Sequence, residues 1–277
     1  MPVVTVTDSA ARLPRNLLQS LGIRVVPLHV LLDGRDLRDG VDELPADLYQ
    51  RVAGTAGAAP AELAAAYEVA LADSAGDGVV AVHLSAELSS TFGSAEHAAR
   101  AFGGRVVVVD SRSAAMGSGF VALAAARAAT HGADLDDVVA QALSTVERVH
   151  AFIVVQRLDN LRRSGRIGAA ASWLGTALAI KPLLRLEAGR LVLGQRVRTT
   201  SRATAAMVEQ VLEVVGERRA EVAVQHVDNP AAAAEVAATL ESALPACGPA
   251  IVTDLGPVLG VHLGPGAVGV VVCVADH

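Results

Sequence analysis

The chain has 277 residues, of which 52% are hydrophobic, 19% charged and 3% aromatic, and its formal net charge is −6 at pH 7. This composition excludes extensive disorder, because it supplies enough apolar surface for a sizeable core. The scarcity of aromatic rings and the absence of a basic run argue against a nucleic-acid partner. The N-terminus lacks the pattern of a secretory leader, and apolar stretches such as 267–275 are too short to span a bilayer, so we expect a soluble, cytoplasmic protein.

The first half of the sequence alternates strand and helix patterns. Short apolar runs predict buried strands, and Pro14 and Pro60 mark helix starts, because proline fits the first helical turn. The predicted elements are, in chain order, a strand at 3–6, a helix at 14–21, a strand at 23–32 closed by an Asp33-Gly34 turn, a helix at 45–49, a loop at 55–59, a helix at 61–71, a strand at 79–83, a helix from near residue 94, a strand at 105–109, and helices at 117–129 and 135–149. This alternation predicts a mostly parallel sheet with helices on both faces.

The second half has a different pattern, and the change near His150 predicts two domains, 1–150 and 151–277. Its predicted elements are a strand at 151–155, a helix at 169–180 that contains Trp173, a hairpin of 183–186 and 191–197 with a longer loop, a helix at 201–215, a strand at 222–226, a helix at 231–244, and strands at 251–254 and 268–274. The helix at 169–180 is apolar on every side, which predicts a buried helix or the wall of an apolar cavity. Between the last two strands, glycines and prolines at 255–266 predict a stiff loop around His262.

Small hydroxyl and acidic residues follow three of the predicted strands: Asp8, Ser9, Ser85, Asp110 and Ser111. Ligands of open α/β sheets bind beyond the carboxyl ends of the strands, where these residues stand. Three adjacent hydroxyls then mark the start of a helix: Ser89, Ser90 and Thr91. The first N–H groups of a helix have no partner within it, so this turn is a candidate anion site. The alternative is that these hydroxyls only cap the helix.

Further candidates lie elsewhere in the chain. Thr55 could donate a hydrogen bond to an anion, and His262, between glycines that allow close approach, could hydrogen-bond a carboxylate or phosphate. Four arginines could bind a phosphate group or a partner protein: Arg163, Arg166, Arg198 and Arg202. The structural alternatives are a surface hydroxyl, a satisfied loop histidine and solvated charges.

The sequence offers no motif for a cofactor. It contains no phosphate loop, dinucleotide fingerprint, nucleophile elbow or metal-ligand spacing. Cys247 and Cys273 are far apart with no second ligand nearby, which predicts neither a zinc site nor a disulfide. We therefore expect no cofactor.

Nine different short motifs are distributed along almost the whole chain. They are Thr7-Asp8-Ser9, Asp39-Gly40-Val41-Asp42, the turn from Leu84 to Thr91, Val109-Asp110-Ser111, Met116-Gly117-Ser118-Gly119, Ser164-Gly165-Arg166-Ile167, Ile180-Lys181-Pro182, Val197-Arg198 and His262-Leu263-Gly264-Pro265-Gly266. No single motif is specific, but in their order and spacing the chain resembles the DegV family. These are bacterial fatty-acid-binding proteins that serve as carrier subunits of fatty acid kinase. The turn that ends at Thr91 is similar to the family's Leu-Ser-Gly-Thr motif.

The resemblance implies a two-domain α/β fold, with a mostly parallel N-terminal sheet covered by helices and a C-terminal α/β domain whose sheet is mixed or antiparallel. It implies one bound long-chain fatty acid, with the tail in a buried apolar tunnel and the carboxylate near the domain interface. By position, Thr55 and Ser89 match the residues that hydrogen-bond the carboxylate, and His262 matches the histidine beside it. The other predicted ligand-binding residues are Ser90, Thr91 and Gly264. The candidates for docking the kinase are Arg166, Arg198 and Arg202.

The same resemblance implies a carrier without catalytic activity of its own, which acts with a fatty acid kinase catalytic subunit and makes transient contact with a membrane surface. The physical chemistry agrees, because a carboxylate buried without donors is very costly. Burial of the acyl chain contributes about 0.8 kcal/mol per methylene, which makes submicromolar affinity easy to reach.

Two departures from the family pattern affect the head-group site. The family's Thr-Ser-Gln-Pro-Ser loop is here Thr55-Ala56-Gly57-Ala58-Ala59, which predicts a more mobile loop. Ser90 replaces the glycine of the hydroxyl turn, at a cost of about 1 kcal/mol if the position needs a positive φ. Two other functions stay open: an acyl hydrolase with Ser89 as nucleophile and His262 as base, and an interaction protein with a degenerate lipid site.

Overall fold

The computed structural model describes residues 2–167 and 180–275. The predicted apolar helix at 169–180, with Trp173, therefore lies outside the described residues except for Ile180. The chain divides into two compact units: unit 1 is Met1–Ala46 with Ala53–Glu147, and unit 2 is Asp47–Val52 with Arg148–His277. Within the described ranges, no helix is both long enough and apolar enough to cross a membrane.

Unit 1 is built from short strands and mostly longer helices. The strands are β1 (Val4–Asp8), β2 (Arg24–Val26), β3 (His29–Leu32), β4 (Arg35–Arg38), β5 (Gly54–Ala56), β6 (Val79–His83) and β7 (Val106–Asp110). The helices are α1 (Arg15–Ser20), α2 (Pro60–Asp73), α3 (Thr91–Ala99), α4 (Met116–Thr130) and α5 (Leu135–Val146), with single 3-10 turns at Ser9–Ala11 and Arg100–Phe102.

Four strands of unit 1 form a parallel sheet in the order β2-β1-β6-β7. Its central strand β6 is a run of mostly β-branched residues, all of them buried, as expected for a strand covered on both faces. Helices α2 and α4 both pack on β1. The predicted parallel sheet with its covering helices is confirmed.

The predicted strand at 23–32 is wrong as a single element. Pro27, which has no N–H to donate, separates β2 from β3, and the chain leaves the parallel sheet there. Strand β3 is the middle of a separate antiparallel sheet in the order β4-β3-β5. The Asp33-Gly34 turn between β3 and β4 is confirmed, with φ values of 50° and 76° that suit a two-residue hairpin.

Two other predictions in this region are also wrong. Residues 45–49 do not form an α-helix, and the structure has only a 3-10 turn at Leu48–Gln50. The predicted loop at 55–59 begins inside β5, where Thr55 stands opposite Val30 of β3. Pairing with a strand that lies far away in the sequence decides both the existence of β5 and its register, and local propensity does not report it.

Unit 2 contains a larger sheet. Its strands are β8 (Val149–Val154), β9 (Lys181–Glu187), β10 (Arg190–Val197), β11 (Ala220–His226), β12 (Ile251–Asp254) and β13 (Val268–Val274). Its helices, within the described residues, are α6 (Asp159–Arg163), α7 (Thr200–Val215), α8 (Pro230–Ala243) and α9 (Gly256–Leu263).

The strands of unit 2 form one mixed sheet in the order β10-β9-β8-β13-β11-β12. The β11–β12 pair is parallel and the other described pairs are antiparallel, which confirms the expected mixed sheet. Alternate residues of β13, Val270 and Val272, are buried in one apolar core with Met207 of α7 and Leu240 of α8. This alternation follows the two-residue period of a strand that packs helices on one face.

Two predictions in unit 2 need correction. The segment at 255–266 is not a loop but largely the helix α9, because Pro257 fits the first helical turn and Gly264, with φ 77°, ends the helix. The β9–β10 connection is a two-residue turn at Ala188-Gly189 rather than a longer loop.

A fully buried polar chain fixes the carboxyl end of the central strands of unit 1. Asp8, His83 and Tyr67 are each 0% exposed. The Asp8 Oδ2 atom lies 3.0 Å from His83 Nδ1 and accepts from the Leu84 N–H at 3.0 Å, and Oδ1 accepts from the Ala10 N–H at 3.1 Å. His83 Nε2 lies 2.9 Å from the Tyr67 hydroxyl.

The chain of bonds assigns the protons. With Asp8 ionised, His83 donates through Nδ1 and accepts from Tyr67 through Nε2. Burial, with the Asp8 charge nearby, raises the pKa of Tyr67, so its hydroxyl stays a donor. The hydrogen bonds among Asp8, His83 and Tyr67 therefore hold β1, β6 and α2 in one arrangement.

We expect Tyr67→Phe to lower the free energy of unfolding by about 1–3 kcal/mol, because His83 Nε2 would stay buried without its donor. Urea unfolding followed by circular dichroism measures the loss. The control is Val69→Ala at an exposed site of the same helix α2, for which we expect a change below about 0.5 kcal/mol. Equal effects of the two substitutions would contradict this account of the buried chain.

Candidate functional site

The hydroxyl turn follows β6 and is held from several sides. The Ser85 carbonyl accepts from the N–H groups of Leu88 at 3.0 Å and Ser89 at 3.1 Å. The Ser85 hydroxyl accepts from the Glu87 N–H at 3.2 Å, and the Ser85 N–H donates to the Ser113 carbonyl at 2.8 Å. The turn is therefore a compact scaffold at the carboxyl edge of the parallel sheet, directly after the residues that Asp8 holds.

Ser89 and Thr91 form a hydroxyl pair at the start of α3. Their side-chain oxygens are 2.9 Å apart, and Ser89 Oγ also accepts from the Thr91 N–H at 3.2 Å. Thr91 is fully buried, whereas Ser89 is half-buried. Ser89 thus caps the helix and keeps one face toward the surface.

Ser90 lies between them and is exposed. Its φ is −72°, so the serine that replaces the family's glycine adopts an ordinary right-handed conformation without strain. Its side chain makes no capping hydrogen bond. Of the three predicted hydroxyls, Ser89 and Thr91 are therefore the two that the structure joins.

The segment that carries Thr55 reaches the same turn through Gly57. A Cβ atom placed on Gly57 would lie 2.5 Å from Thr91 Oγ1 and 3.3 Å from the Thr91 backbone nitrogen. Only glycine allows this approach, because no real Cβ atom comes so close to another heavy atom. Within unit 1 the structure thus brings the segment of Thr55 and the Ser89–Thr91 pair together.

The third group of strand-end residues lies beside the turn. The Ser111 N–H donates to the His83 carbonyl at 3.1 Å, and its hydroxyl is 2.8 Å from that of Ser118 at the start of α4. Two residues that lead into α4, Arg112 and Ala115, have positive φ values of 47° and 55°. The sequence predicted the position of Ser111, whereas these two backbone conformations have no pattern that could reveal them.

His262 belongs to unit 2 and lies in the last turn of α9. Burial, with the positive charge of Arg166, lowers the pKa of His262 to about 4, so the ring is neutral at physiological pH. Two residues earlier, the Tyr49 ring occupies the place that a Cβ atom on Gly260 would take. A Cβ on Gly264, which ends the helix, would come within 3.1 Å of Asn160 Nδ2. The histidine is thus held on a closely packed helix and not on a loop.

The three arginines predicted to dock the kinase have different surroundings. Arg166 is half-buried and donates through Nη1 to the Ser164 carbonyl at 2.6 Å. Arg198 and Arg202 are exposed on either side of Thr199, whose hydroxyl caps α7 by accepting from the Arg202 N–H at 3.3 Å. The structure therefore groups Arg198 with Arg202 at the start of α7, and Arg166 with His262.

A polar cluster around Gln156 is not apparent from the sequence. Lys181 Nζ donates to the Gln156 side-chain oxygen at 3.0 Å and to its carbonyl at 3.2 Å, and the Thr200 hydroxyl donates to the same side chain at 3.3 Å. Gln156 Nε2 in turn donates to the Gly266 carbonyl at 3.1 Å. Lys181 is the only lysine of the chain, but its rarity by itself indicates no function, and no local pattern indicates Gln156 as its partner.

The sequence profile of the DegV family matches residues 2–275. The chain belongs to the DegV family. A DegV domain-containing protein of Mycobacterium tuberculosis is 62% identical over 272 residues, which cover 98% of this chain and 97% of the relative.

Solved structures of DegV proteins have the same fold. One from Thermus thermophilus, described by its fatty acid binding, is 33% identical with a TM-score of 0.90, covering 99% of this chain and 100% of that one. DegV from Bacillus subtilis, described as a fatty acid binding protein, is 28% identical with a TM-score of 0.89, again covering 99% and 100% of the two chains. The α/β fold expected from the sequence is therefore the fold of the DegV family.

We expect Gly57→Ala to destabilise unit 1 by about 1–3 kcal/mol, because the added methyl overlaps Thr91 and must push the two segments apart. The control is Gly54→Ala in the same segment, where the methyl would meet only Leu31 Cβ at an ordinary 3.7 Å. Thermal unfolding by calorimetry compares the two. A Gly57→Ala protein as stable as Gly54→Ala would refute the close contact.

Proposed function

We propose that this protein binds one long-chain fatty acid and presents its carboxylate to a separate kinase, which phosphorylates it to an acyl phosphate. The observation that carries the proposal is the convergence of Ser89, Thr91 and the Thr55 segment at the carboxyl edge of a parallel sheet. The fatty acid binding named for the Thermus and Bacillus relatives supports the choice of ligand. No cofactor is needed for this role, and we propose a cytoplasmic location.

The geometry of the hydroxyl pair supports a carboxylate as the ligand. Ser89 Oγ accepts from the Thr91 N–H and can also accept from the Thr91 hydroxyl. A serine oxygen that accepts twice from its neighbour has its own O–H left to donate outward. Because Ser89 is half-buried, that donor can reach a ligand from the accessible side. The proposed ligand set is this hydroxyl together with Thr55, Ser90, Thr91, His262 and Gly264.

A neutral His262 suits the proposed role beside a carboxylate. A neutral imidazole can donate one hydrogen bond and adds no counter-charge that would hold the acid in place. A carboxylate that must act as a nucleophile toward a phosphoryl group is better left without such a charge. The positive Arg166, which helps to keep the pKa of His262 low, serves this purpose from within unit 2.

The direct experiment is mass spectrometry of the natively purified protein and of its lipid extract. We expect one fatty acid per chain, and uptake of added palmitate or oleate by protein stripped of lipid. Absence of lipid together with no uptake would overturn the proposal, and a stable protein complex without lipid would favour the interaction protein. Turnover of a chromogenic acyl ester that disappears in Ser89→Ala would favour the hydrolase.

We expect Ser89→Ala to weaken fatty acid binding by about 10- to 100-fold, the effect of one lost hydrogen bond to a charged group. Displacement of cis-parinaric acid measures the affinity. The matched control is Ser94→Ala, a serine within α3, for which we expect binding within about twofold of the wild type. Equal affinities of Ser89→Ala and wild type would exclude Ser89 from the head-group site.

We expect the double substitution Arg198→Glu with Arg202→Glu to reduce acyl phosphate formation with a fatty acid kinase by about tenfold, because the reversed charges repel an acidic docking surface. Fatty acid affinity should stay the same, which separates docking from ligand binding. The control is Arg219→Glu, an exposed arginine elsewhere in unit 2. Undiminished phosphate transfer by the double variant would show that the kinase docks elsewhere.

A further inference from the structure

His29 of β3 makes two contacts with carboxylates, one through each ring nitrogen. Nδ1 lies 2.6 Å from Asp36 Oδ1 of β4, and Nε2 lies 3.1 Å from Glu62 Oε2 of α2. The imidazole is 9% exposed, whereas the side chains of Asp36 and Glu62 keep 60% and 39% of their surface exposed. The two carboxylates are therefore accessible to water, whereas the imidazole ring between them is buried.

This geometry requires a protonated ring. A neutral imidazole has one N–H and can donate to one carboxylate only, so the other nitrogen would present a lone pair to a negative charge. Burial opposes the charged ring, but the hydrogen bond to Asp36 and the charge and hydrogen bond of Glu62 outweigh it and raise the pKa of His29. The imidazolium form therefore joins the β3–β4 hairpin to the start of α2.

Glu62 connects this bridge to the segment that carries Thr55. Its Oε2 atom also accepts from the Ala59 N–H at 2.8 Å and so caps α2 where the segment ends. At the other end of the segment, Ala56 of β5 stands opposite His29 itself in the antiparallel pair. Between these two points the Gly57 backbone rests against Thr91. A small displacement of Glu62 would therefore change the contact between the two halves of the site in unit 1.

We propose that His29 is a positioning residue: its imidazolium, held between Asp36 and Glu62, presses the 55–59 segment against the Ser89–Thr91 pair, so that the affinity for a fatty acid depends on the protonation of His29. The inference rests on the proposed function, because it names a control of that same site. It also explains how a segment with so few polar side chains is held in place.

The charges that face His29 come from the elements packed around it. Strand β4 supplies Asp36 and also Arg38, which stands opposite His29 but is engaged by Asp42 through Nε and Nη2, both at 3.1 Å. Arg35 is the other charged residue of β4, and Glu62 is the charge from α2. Strand β5 contributes only Gly54, Thr55 and Ala56, none of which is charged.

The sign of the pH dependence follows from the raised pKa. A group whose pKa is higher in the folded protein stabilises the charged arrangement fully below its ordinary value of about 6.5, and the stabilisation is lost as the pH rises through the higher folded value. Above that pKa the ring of His29 is neutral, so it can donate a hydrogen bond to only one of the two carboxylates. We therefore expect tight binding below about pH 6.5, and weaker binding as the pH rises through the higher pKa of the folded protein.

The experiment measures the affinity for cis-parinaric acid from about pH 6, which lies below the ordinary pKa of histidine, to about pH 9. The readout is the ratio of wild-type to variant affinity at each pH, because this ratio cancels the ionisation and micelle formation of the ligand itself. For His29→Gln, whose side chain stays neutral throughout, we expect a wild-type advantage of about five- to tenfold at the acidic end that shrinks toward one at the alkaline end. For the control His131→Gln, an exposed histidine, the ratio should stay near one throughout.

Nuclear magnetic resonance provides a readout that does not need a ligand. In the wild type, the amide shifts of residues 55–59 should titrate together with the His29 ring, and in His29→Gln they should not titrate. Glu62→Gln, which removes one carboxylate, should move the midpoint of His29 to lower pH. An affinity ratio that is independent of pH, or a 55–59 segment that ignores the His29 titration, would overturn the inference. A wild type that binds no fatty acid at any pH, yet shows the coupled titration, would instead overturn the proposed function alone.

Discussion

The buried carboxyl group of Asp8 is the constraint on which the candidate site in unit 1 depends. A fully buried charge is stable only when donors surround it, and here they come from His83, Leu84 and Ala10. The hydrogen bonds of Asp8 to His83 and Leu84 fix the last residue of β6 and the first residue after it, where the hydroxyl turn begins. The pair of Ser89 and Thr91 is therefore placed by a core interaction, and its position does not depend on surface contacts that water could replace.

Most of the fold could be predicted from the sequence where one local rule was decisive. Short β-branched runs such as Val79–His83 favour a strand that is covered on both faces, and their alternation with helices predicts a parallel sheet. The errors arose where two rules compete. Proline and glycine around His262 are typical of loops, yet a proline in the first turn and a glycine after the last also describe a short helix. At 23–32 the apolar pattern continues through Pro27, although the hydrogen-bond ladder cannot.

Some residues of the candidate site could likewise be predicted from the sequence, and others could not. The hydroxyl turn and the acidic strand ends were visible, because each lies within a few residues of a strand end whose position the apolar pattern reveals. Gln156 and His29 were not visible, since their partners come from far along the chain: Lys181 and Thr200 for the one, Glu62 for the other. Glu62 also illustrates a double use that no local pattern shows, as helix cap and as counter-ion. Contacts of this kind become evident only when the packing of elements is known.

The interleaved composition of unit 2 has a consequence for biosynthesis. Tyr49, whose ring covers Gly260 of α9, leaves the ribosome about two hundred residues before its partner, so loop closure over a long chain must precede this contact. Until then the 3-10 turn at Leu48–Gln50 lacks the helix against which Tyr49 packs. A recombinant fragment that starts at Arg148 would lack Tyr49, and the surface of α9 at Gly260 would then be exposed to solvent. The protein is thus poorly suited to dissection at a single cut, and in a nascent chain the contact between Tyr49 and Gly260 can form only after α9 has been synthesised.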